Sequence, residues 1–211
     1  METYTEADQI EQIKKLWLEY GTAIIVGIVI ALIVGFSWRA WQRHREETLA
    51  HVSMRYEQLL TSVVNGNTMA VDLEANHLIK RYPHTPYTQL AALQLARQDV
   101  YQGNYADAEE KLNWIMKHGD SAPLRQIARI RAARVLLAEN KPDAALALLK
   151  GSDDKAYDAV VWEVRGDILV TLGKRAEART AYKNAMDALP GFADMQPILR
   201  MKFNDLADAA S

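Results

Sequence analysis

The chain has 211 residues, a formal net charge of -2 and 25% charged residues. A nucleic-acid-binding surface normally leaves an excess or a block of lysine and arginine, and because neither is present we exclude nucleic acid as a partner. The sequence contains no cysteine. Disulfides, zinc–thiolate sites and cysteine nucleophiles are therefore excluded, although this does not distinguish a reducing from an oxidising compartment.

Residues 1–20 form a short N-terminal arm with apolar side chains at helical spacing. Charged residues such as Glu11, Lys14 and Glu19 lie between them. This pattern predicts an amphipathic helix that leads into the next segment. The apolar positions are Ile10, Ile13, Leu16, Trp17 and Tyr20.

The segment from Gly21 to Trp38 is apolar and contains no charged residue. As a helix with a rise of ~1.5 Å per residue it would be roughly 27 Å long, close to the ~30 Å hydrocarbon core of a bilayer. A cleaved signal sequence has a shorter apolar core and a small-residue cleavage site, whereas this segment leads into Arg39 and Trp41. The sequence therefore predicts an uncleaved transmembrane helix over residues 21–38.

Two features of this segment predict contacts in the membrane. Aromatic rings flank it on both sides, where they favour the headgroup layer, so we expect membrane-interface anchors at Trp17, Tyr20, Trp38 and Trp41. Small residues recur at every fourth position, at Gly27, Ala31 and Gly35. Such a stripe is typical of a face that packs against another membrane helix, although glycine and alanine are common in membrane helices in any case.

The charges beside the span give only a small difference for orientation. Lys14 and Lys15 precede it, and Arg39, Arg43 and Arg45 follow it. The positive-inside rule then predicts a cytoplasmic C-terminal part, by an excess of about one charge.

Residues 39–84 predict a membrane-exit helix and a degenerate helical hairpin. Apolar residues from Arg45 to Val64 follow the spacing of a helix with one buried face, and Asn65-Gly66-Asn67 ends it. A second helix is predicted from Met69 to about Arg81.

Beyond this hairpin the chain repeats itself. The turn residues Gly103, Asn140 and Gly173 lie about 33 to 37 residues apart, the period of stacked helix-turn-helix repeats. A small residue lies seven positions before each turn and an alanine five positions after it, which predicts a close crossing of the two helices. The small residues are Ala96, Ala133 and Gly166, and the alanines are Ala108, Ala145 and Ala178.

These residues resemble the tetratricopeptide repeat. The third unit matches best, through Trp162, Gly166, Leu169, Ala178, Tyr182, Ala185 and Pro190. The middle unit departs from the pattern, with Asn140 for the turn glycine and Pro142 where an aromatic residue is usual. We therefore predict an all-α fold: one N-terminal transmembrane helix, a tetratricopeptide-like α-solenoid with three repeats over residues 85–190, and a closing helix within residues 191–211.

By the same resemblance, the first helices of the repeats line a groove that binds an extended peptide. The expected groove residues are Leu93, Arg97, Tyr101, Ile130, Arg134, Glu163, Asp167 and Val170. The alternative is that the charged members form a solvated face of mutually paired side chains that contributes little to binding.

No catalytic, cofactor or metal site is predicted. The five histidines are scattered and form no HExxH pair, and the chain has no phosphate-binding glycine-rich motif and no GxSxG. The glycines at positions 103, 166 and 173 are explained by turns and close packing. The sequence therefore favours a protein that is not an enzyme.

The whole arrangement resembles the YfgM family, the ancillary subunits of the SecYEG translocon. The resemblance covers essentially the full length and includes Ile10, Lys14, Glu19, Tyr20 and Gly21 and the exit from Trp38 to Gln42. It implies a single-pass bacterial inner-membrane protein with a cytoplasmic N-terminus and periplasmic repeats, against the charge rule. It also implies three kinds of partner: SecYEG, a membrane-anchored prolyl-isomerase-like chaperone of the PpiD type, and exported client polypeptides.

The leading hypothesis from the sequence is a scaffold tethered to the lipid bilayer that assists chaperoning of exported proteins. Two alternatives remain open: an assembly factor for another envelope complex, and a regulatory membrane protein with a cytoplasmic repeat domain.

Overall fold

The computed structural model describes residues 6–151, 154–189 and 196–206, apart from the side chains of residues 6–13, 15, 16, 24 and 196. Within these ranges the chain is helical and has no strand, which confirms the predicted all-α class. The elements are α1 (Glu6–Val64), α2 (Thr68–Arg81), α3 (Pro86–Gln102), α4 (Tyr105–His118), α5 (Ala122–Ala138), α6 (Pro142–Leu149), a 3-10 turn (Lys155–Tyr157), α7 (Asp158–Thr171), α8 (Arg175–Asp187) and α9 (Gln196–Asp205).

Contacts divide the chain into two compact units, residues 1–51 and 52–211. The finer division into an arm, a span, a hairpin, three repeats and a closing helix stays a prediction. The predicted arm, span and exit helix are parts of one element, α1. The sequence explains this continuity, because no proline interrupts α1 and Gly66 is the first turn residue beyond it.

The helix α1, which begins in the first unit and ends at Val64, is long and apolar enough to cross a membrane. Its large apolar side chains face outward: Ile25, Ile28 and Leu32 are 51%, 56% and 55% exposed. A Cβ added at Gly27 or Gly35 would meet no other atom of the chain within 4 Å, so the small-residue stripe is open in the described residues. Its role as a contact face stays a prediction, as does interface anchoring by the flanking aromatics.

In the second unit, four helix ends share one turn geometry. Gly66, Gly103, Asn140 and Gly173 have φ values of 67°, 79°, 59° and 72°. At each turn the N–H of this residue donates to the carbonyl three positions back, and the next N–H donates to the carbonyl five positions back. This is the Schellman closure of a helix C-terminus. The three predicted repeat turns are thus confirmed, and Gly66 closes the preceding hairpin in the same way.

The helices of the second unit pack as two layers. We call α3, α5 and α7 the A helices and α4, α6 and α8 the B helices. Each helix contacts the next one along the chain from α2 to α9, and α3 also contacts α5, as α5 contacts α7. The A helices therefore lie side by side and present one surface, which we call the A-helix wall.

Small residues allow the A and B helices to approach closely. The predicted crossing residues are all buried: Ala96, Ala133 and Gly166 before the turns, and Ala108, Ala145 and Ala178 after them. At Gly166 the fit is tightest, because an added Cβ would lie 2.3 Å from Cε1 of Tyr182. The glycine is required there for packing and not for a backbone angle.

Capping residues explain where helices begin. Thr85 accepts a hydrogen bond from the N–H of Thr88 at 3.3 Å, and Pro86 is the first residue of α3. Pro142 likewise begins α6. This position needs no helical hydrogen-bond donor, so the middle repeat accommodates a proline where the repeat pattern has an aromatic residue.

The predicted closing helix is present as α9, which packs on α8. Leu199 and Leu206 are buried, but Ile198 and Met201 are 54% and 58% exposed, so only part of the predicted apolar set covers the last repeat. Residues 191–195 and 207–211 of the segment predicted to contain it lie outside the described residues.

Candidate functional site

The A-helix wall contains a cavity of about 280 Å³ between α3 and α5, which we call the arginine pocket. Its lining is apolar apart from three arginines and a tyrosine. The apolar residues are Ala96, Val100, Leu112, Val135 and Ala138, and the others are Arg97, Tyr101, Arg131 and Arg134.

The arginine pocket has an excess of positive charge. Arg97 donates to the Tyr101 hydroxyl at 3.3 Å and lies 5.3 Å from the centre of its ring. Among the described residues, no carboxylate forms an ion pair with Arg97 or Arg131. Partial burial lowers the pKa of Arg131, and the charges of Arg97 and Arg134 lower it further. An anion placed here would relieve this repulsion.

Arg134 links the arginine pocket to the last repeat. It lies 3.5 Å from an Oε of Glu163, and half of its side chain is exposed. Because the Arg134 side chain is half exposed and Glu163 is shared with Lys202, a pair at this distance is weak and leaves much of the positive charge of Arg134 available.

A second cavity of about 250 Å³ lies beside the first and shares Arg97 and Tyr101 with it. We call it the amide pocket, because its polar lining includes Asn67, Gln94, Gln98 and Gln102. The three glutamines are four positions apart on α3 and form one row along the helix. Gln98 is held in place by donating to Oδ1 of Asp72 on α2 at 2.9 Å.

The other end of the A-helix wall carries an ion-pair cluster. Lys202 of α9 contacts Glu163 at 2.9 Å and both carboxylate oxygens of Asp167 at 2.8 and 3.0 Å. Tyr182 donates to Oδ1 of Asp167 at 2.8 Å. Glu163 and Asp167 therefore share Lys202 as an ion-pair partner within the chain.

Two pKa shifts show how closely this ion-pair cluster is coupled. Burial raises the pKa of Tyr182, and its hydrogen bond to Asp167 and the charges of Asp167 and Glu163 raise it further. Burial lowers the pKa of Lys202, but hydrogen bonds to Asp167 and Glu163 outweigh this, so the net shift is upward. Both groups are held in their protonated forms at neutral pH.

The structure separates the predicted groove residues into three groups. Arg97, Tyr101 and Arg134 are exposed and meet at the arginine pocket. Leu93 and Ile130 are only 5% and 4% exposed and lie in hydrophobic core clusters, so little of either side chain reaches the groove wall, and their contact with a ligand stays a prediction.

The remaining three belong to the last repeat. Glu163 and Asp167 are engaged by Lys202. Val170 is 40% exposed and does not line the arginine or amide pocket. Whether any of these residues contacts a ligand stays a prediction.

Sequence reasoning missed two charged residues, Arg131 and Lys202. Arg131 lies three positions before Arg134 and hence on the same face of α5, so helical spacing contains the signal that finds it. Nothing local in the sequence joins Lys202 to acids on α7, because their contact depends on how α9 packs.

The described residues contain no group of three or more histidine, aspartate or glutamate side chains placed to hold a metal ion. What the A-helix wall offers chemically is a cationic, partly apolar pocket next to a row of amides. Such an arrangement has the charge and the apolar surface to hold a ligand that carries both an anionic and an apolar group.

Stacked helical hairpins of this kind define a helical-repeat protein. The family described as tetratricopeptide repeat-like domain matches residues 14–208, and the chain belongs to that family. This confirms the resemblance found in the repeat register.

The chain is also similar to curated relatives named ancillary SecYEG translocon subunit. One from Escherichia coli strain K12 is 28% identical over 98% of this chain and 100% of that relative. One from Haemophilus influenzae is 27% identical over 95% of this chain and 97% of that relative. One from Aggregatibacter actinomycetemcomitans is 28% identical over 97% of this chain and 98% of that relative. The predicted resemblance to this group is thus confirmed.

Proposed function

We propose that this protein is a non-catalytic scaffold, tethered to the bacterial inner membrane, that works beside the SecYEG translocon and binds extended polypeptide segments on its A-helix wall. The observation that carries the proposal is the combination of one membrane-length apolar helix with a repeat unit whose wall has two adjoining pockets. The name shared by full-length relatives supports the translocon as the partner.

We further propose that the repeats lie in the periplasm and assist the chaperoning of exported proteins, together with a membrane-anchored chaperone of the PpiD type. Resemblance supports this orientation, whereas Arg39, Arg43 and Arg45 favour the opposite one. C-terminal fusions decide between them. An active alkaline phosphatase fusion and a dark fluorescent-protein fusion are expected, and the reverse result would move the repeats to the cytoplasm.

Photo-crosslinking in native membranes tests the scaffold function. A photoreactive amino acid replaces Tyr101, which is 76% exposed on the A-helix wall, and a second variant carries it at the exposed Lys117 of α4 as a matched control. We expect translocon subunits or exported polypeptides to be captured from position 101 and much less from position 117. Equal capture at both positions, or none at either, contradicts the proposal.

The small-residue stripe is proposed as the contact with a membrane helix of the partner. Gly27→Leu adds a side chain where the chain itself leaves open space, so it blocks a close approach without disturbing the fold. Ile28→Leu, at a position 56% exposed, is the control. Co-purification in mild detergent should fall for Gly27→Leu alone; if both variants retain the partner, the stripe is not the contact.

A further inference from the structure

We propose that the arginine pocket and the amide pocket together bind an extended polypeptide segment in which a bulky apolar residue lies two positions from an aspartate or glutamate. The inference rests on the proposed function and adds the chemistry of the bound segment.

Charge complementarity is the first argument. Three guanidinium groups border one cavity, and in the described part of the chain only Arg134 has a carboxylate partner, at 3.5 Å. Partial burial lowers the pKa of Arg131, and the charges of Arg97 and Arg134 lower it further. A carboxylate is the protein group that matches a guanidinium in charge and in the spacing of its two oxygens.

The lining of the arginine pocket is the second argument. Apart from the arginines and Tyr101 it consists of alanine, valine and leucine side chains. A cavity of about 280 Å³ lies just below the ~300–1,000 Å³ range of sites for whole small molecules, which suits one large side chain. A free inorganic anion would leave this apolar surface uncovered, whereas an apolar residue two positions from the carboxylate, on the same side of an extended chain, covers it.

The amide pocket extends the site along the bound chain. Arg97 and Tyr101 form the partition between the two cavities, and the row of Gln94, Gln98 and Gln102 continues on the far side. Side chains at i and i+2 of an extended peptide point the same way and are roughly 7 Å apart. Within the described residues Gln98 donates to Asp72 and Gln102 accepts from Asn104, which leaves the Gln98 oxygen, the Gln102 N–H groups and the amide of Gln94 to bind peptide N–H and C=O groups whatever the sequence.

Binding is measured with the full-length protein in lipid nanodiscs by fluorescence anisotropy. The probe is a dye-labelled peptide with blocked ends that repeats Asp-Ser-Leu-Ser, so that aspartate and leucine alternate on one side of the extended chain. Three matched probes replace every aspartate by asparagine, every aspartate by lysine, or every leucine by alanine. A fourth probe replaces every aspartate by asparagine and has a free C-terminal carboxylate. We expect the aspartate–leucine probe to bind best and to weaken as salt is raised.

Two variants test the pocket by independent routes. Arg131→Gln removes a cation, and we expect a loss of affinity of about tenfold, typical of one charge-assisted hydrogen bond. Ala138→Trp fills the apolar lining without changing charge and should weaken binding as well. Lys183→Gln removes an exposed charge from α8 and should leave binding unchanged. Circular dichroism checks that each variant retains its helical content.

Three results would overturn the inference: equal binding of the asparagine and aspartate probes, preference for the free C-terminus, or displacement of the probe by millimolar inorganic phosphate. These results leave the translocon proposal intact as long as position 101 still crosslinks in membranes. Conversely, selective peptide binding without any crosslink would support this site and contradict the translocon role.

Discussion

The two ends of the A-helix wall use charge in opposite ways. Arg97, Arg134 and Asp167 occupy equivalent positions, each directly after the small crossing residue of its repeat. In the first two repeats the result is a group of arginines that repel one another. In the third, the acid at this position is held by Lys202 and Tyr182.

This difference separates stabilising charge from charge left available for a ligand. An ion-pair cluster that is satisfied within the chain stabilises the packing of α9 on the last repeat. A cluster of like charges contributes nothing comparable to the fold, and groups that lower stability are characteristic of binding sites. The arginine pocket should therefore be dispensable for folding and the ion-pair cluster should not.

The largest effect is expected from Gly166→Leu, which forces the helices of the third repeat apart. The new side chain would overlap the Tyr182 ring, 2.3 Å from the position of the added Cβ, and displace its hydroxyl from Asp167. We expect a loss of about 3 kcal/mol in the local opening free energy of α7 and α8, the upper range for overpacking. Hydrogen exchange of the full-length protein in detergent measures it.

Val170→Leu is the control for Gly166→Leu, because it adds bulk to α7 at a position that is 40% exposed. Val170→Leu should change the local opening free energy of α7 and α8 by less than about 0.5 kcal/mol. Similar protection in Gly166→Leu and the control would mean that close packing at Gly166 does not support the ion-pair cluster.

Lys202→Met should have the next largest effect. Methionine keeps a long unbranched side chain but leaves Glu163 and Asp167 without their main partner, and their side chains are only 12% and 29% exposed. Since the cluster is partly buried, we expect a loss of about 1–2 kcal/mol, between the values for surface and buried pairs. Hydrogen exchange in α7 and α9 reports it.

The matched control for this substitution is Lys141→Met, which removes the Lys141–Glu139 pair where the lysine side chain is 52% exposed. A loss there as large as that for Lys202→Met would show that partial burial does not distinguish the two pairs.

High pH should loosen the ion-pair cluster selectively. The folded-state pKa values of Lys202 and Tyr182 are both raised. Their stabilising effect is thus complete below the unfolded-state pKa values of about 10 and is lost as pH rises through the higher folded-state values. The melting temperature should therefore fall less steeply above about pH 10 in a Lys202→Met, Tyr182→Phe double variant than in the wild type. Parallel curves would contradict the coupling.

The turns and crossings were predictable from the sequence because they depend on local geometry. Gly103 and Gly173 adopt positive φ, where glycine is favoured, and Asn140 is the residue type that best tolerates it. The small residues seven positions before these turns follow from the same register. Because this local signal recurs along the chain, the sequence predicts where each repeat turns.

The charge pattern of the A-helix wall was not predictable in the same way. Leu93, Ile130 and Glu163 occupy one repeat position, and none is freely exposed, since side-chain exposure is only 12% at Glu163. An apolar residue suits this position in two repeats, while an acid is accommodated in the third because Lys202 and Arg134 reach it. That compensation depends on the packing of α9, for which a repeat register contains no information.

The smallest effect on stability is expected from Arg131→Met. This substitution tests most directly whether the arginine pocket and the ion-pair cluster differ in their contribution to stability. The substitution removes a cation that is partly desolvated and repelled by Arg97 and Arg134, so protection of α3 and α5 should stay the same or rise by up to about 0.5 kcal/mol. Adding 1 M salt should stabilise the wild type more than the variant, because screening relieves a repulsion that the variant lacks. A loss as large as that of Lys202→Met would make Arg131 a structural residue, and the two ends of the wall would then not differ in the way proposed.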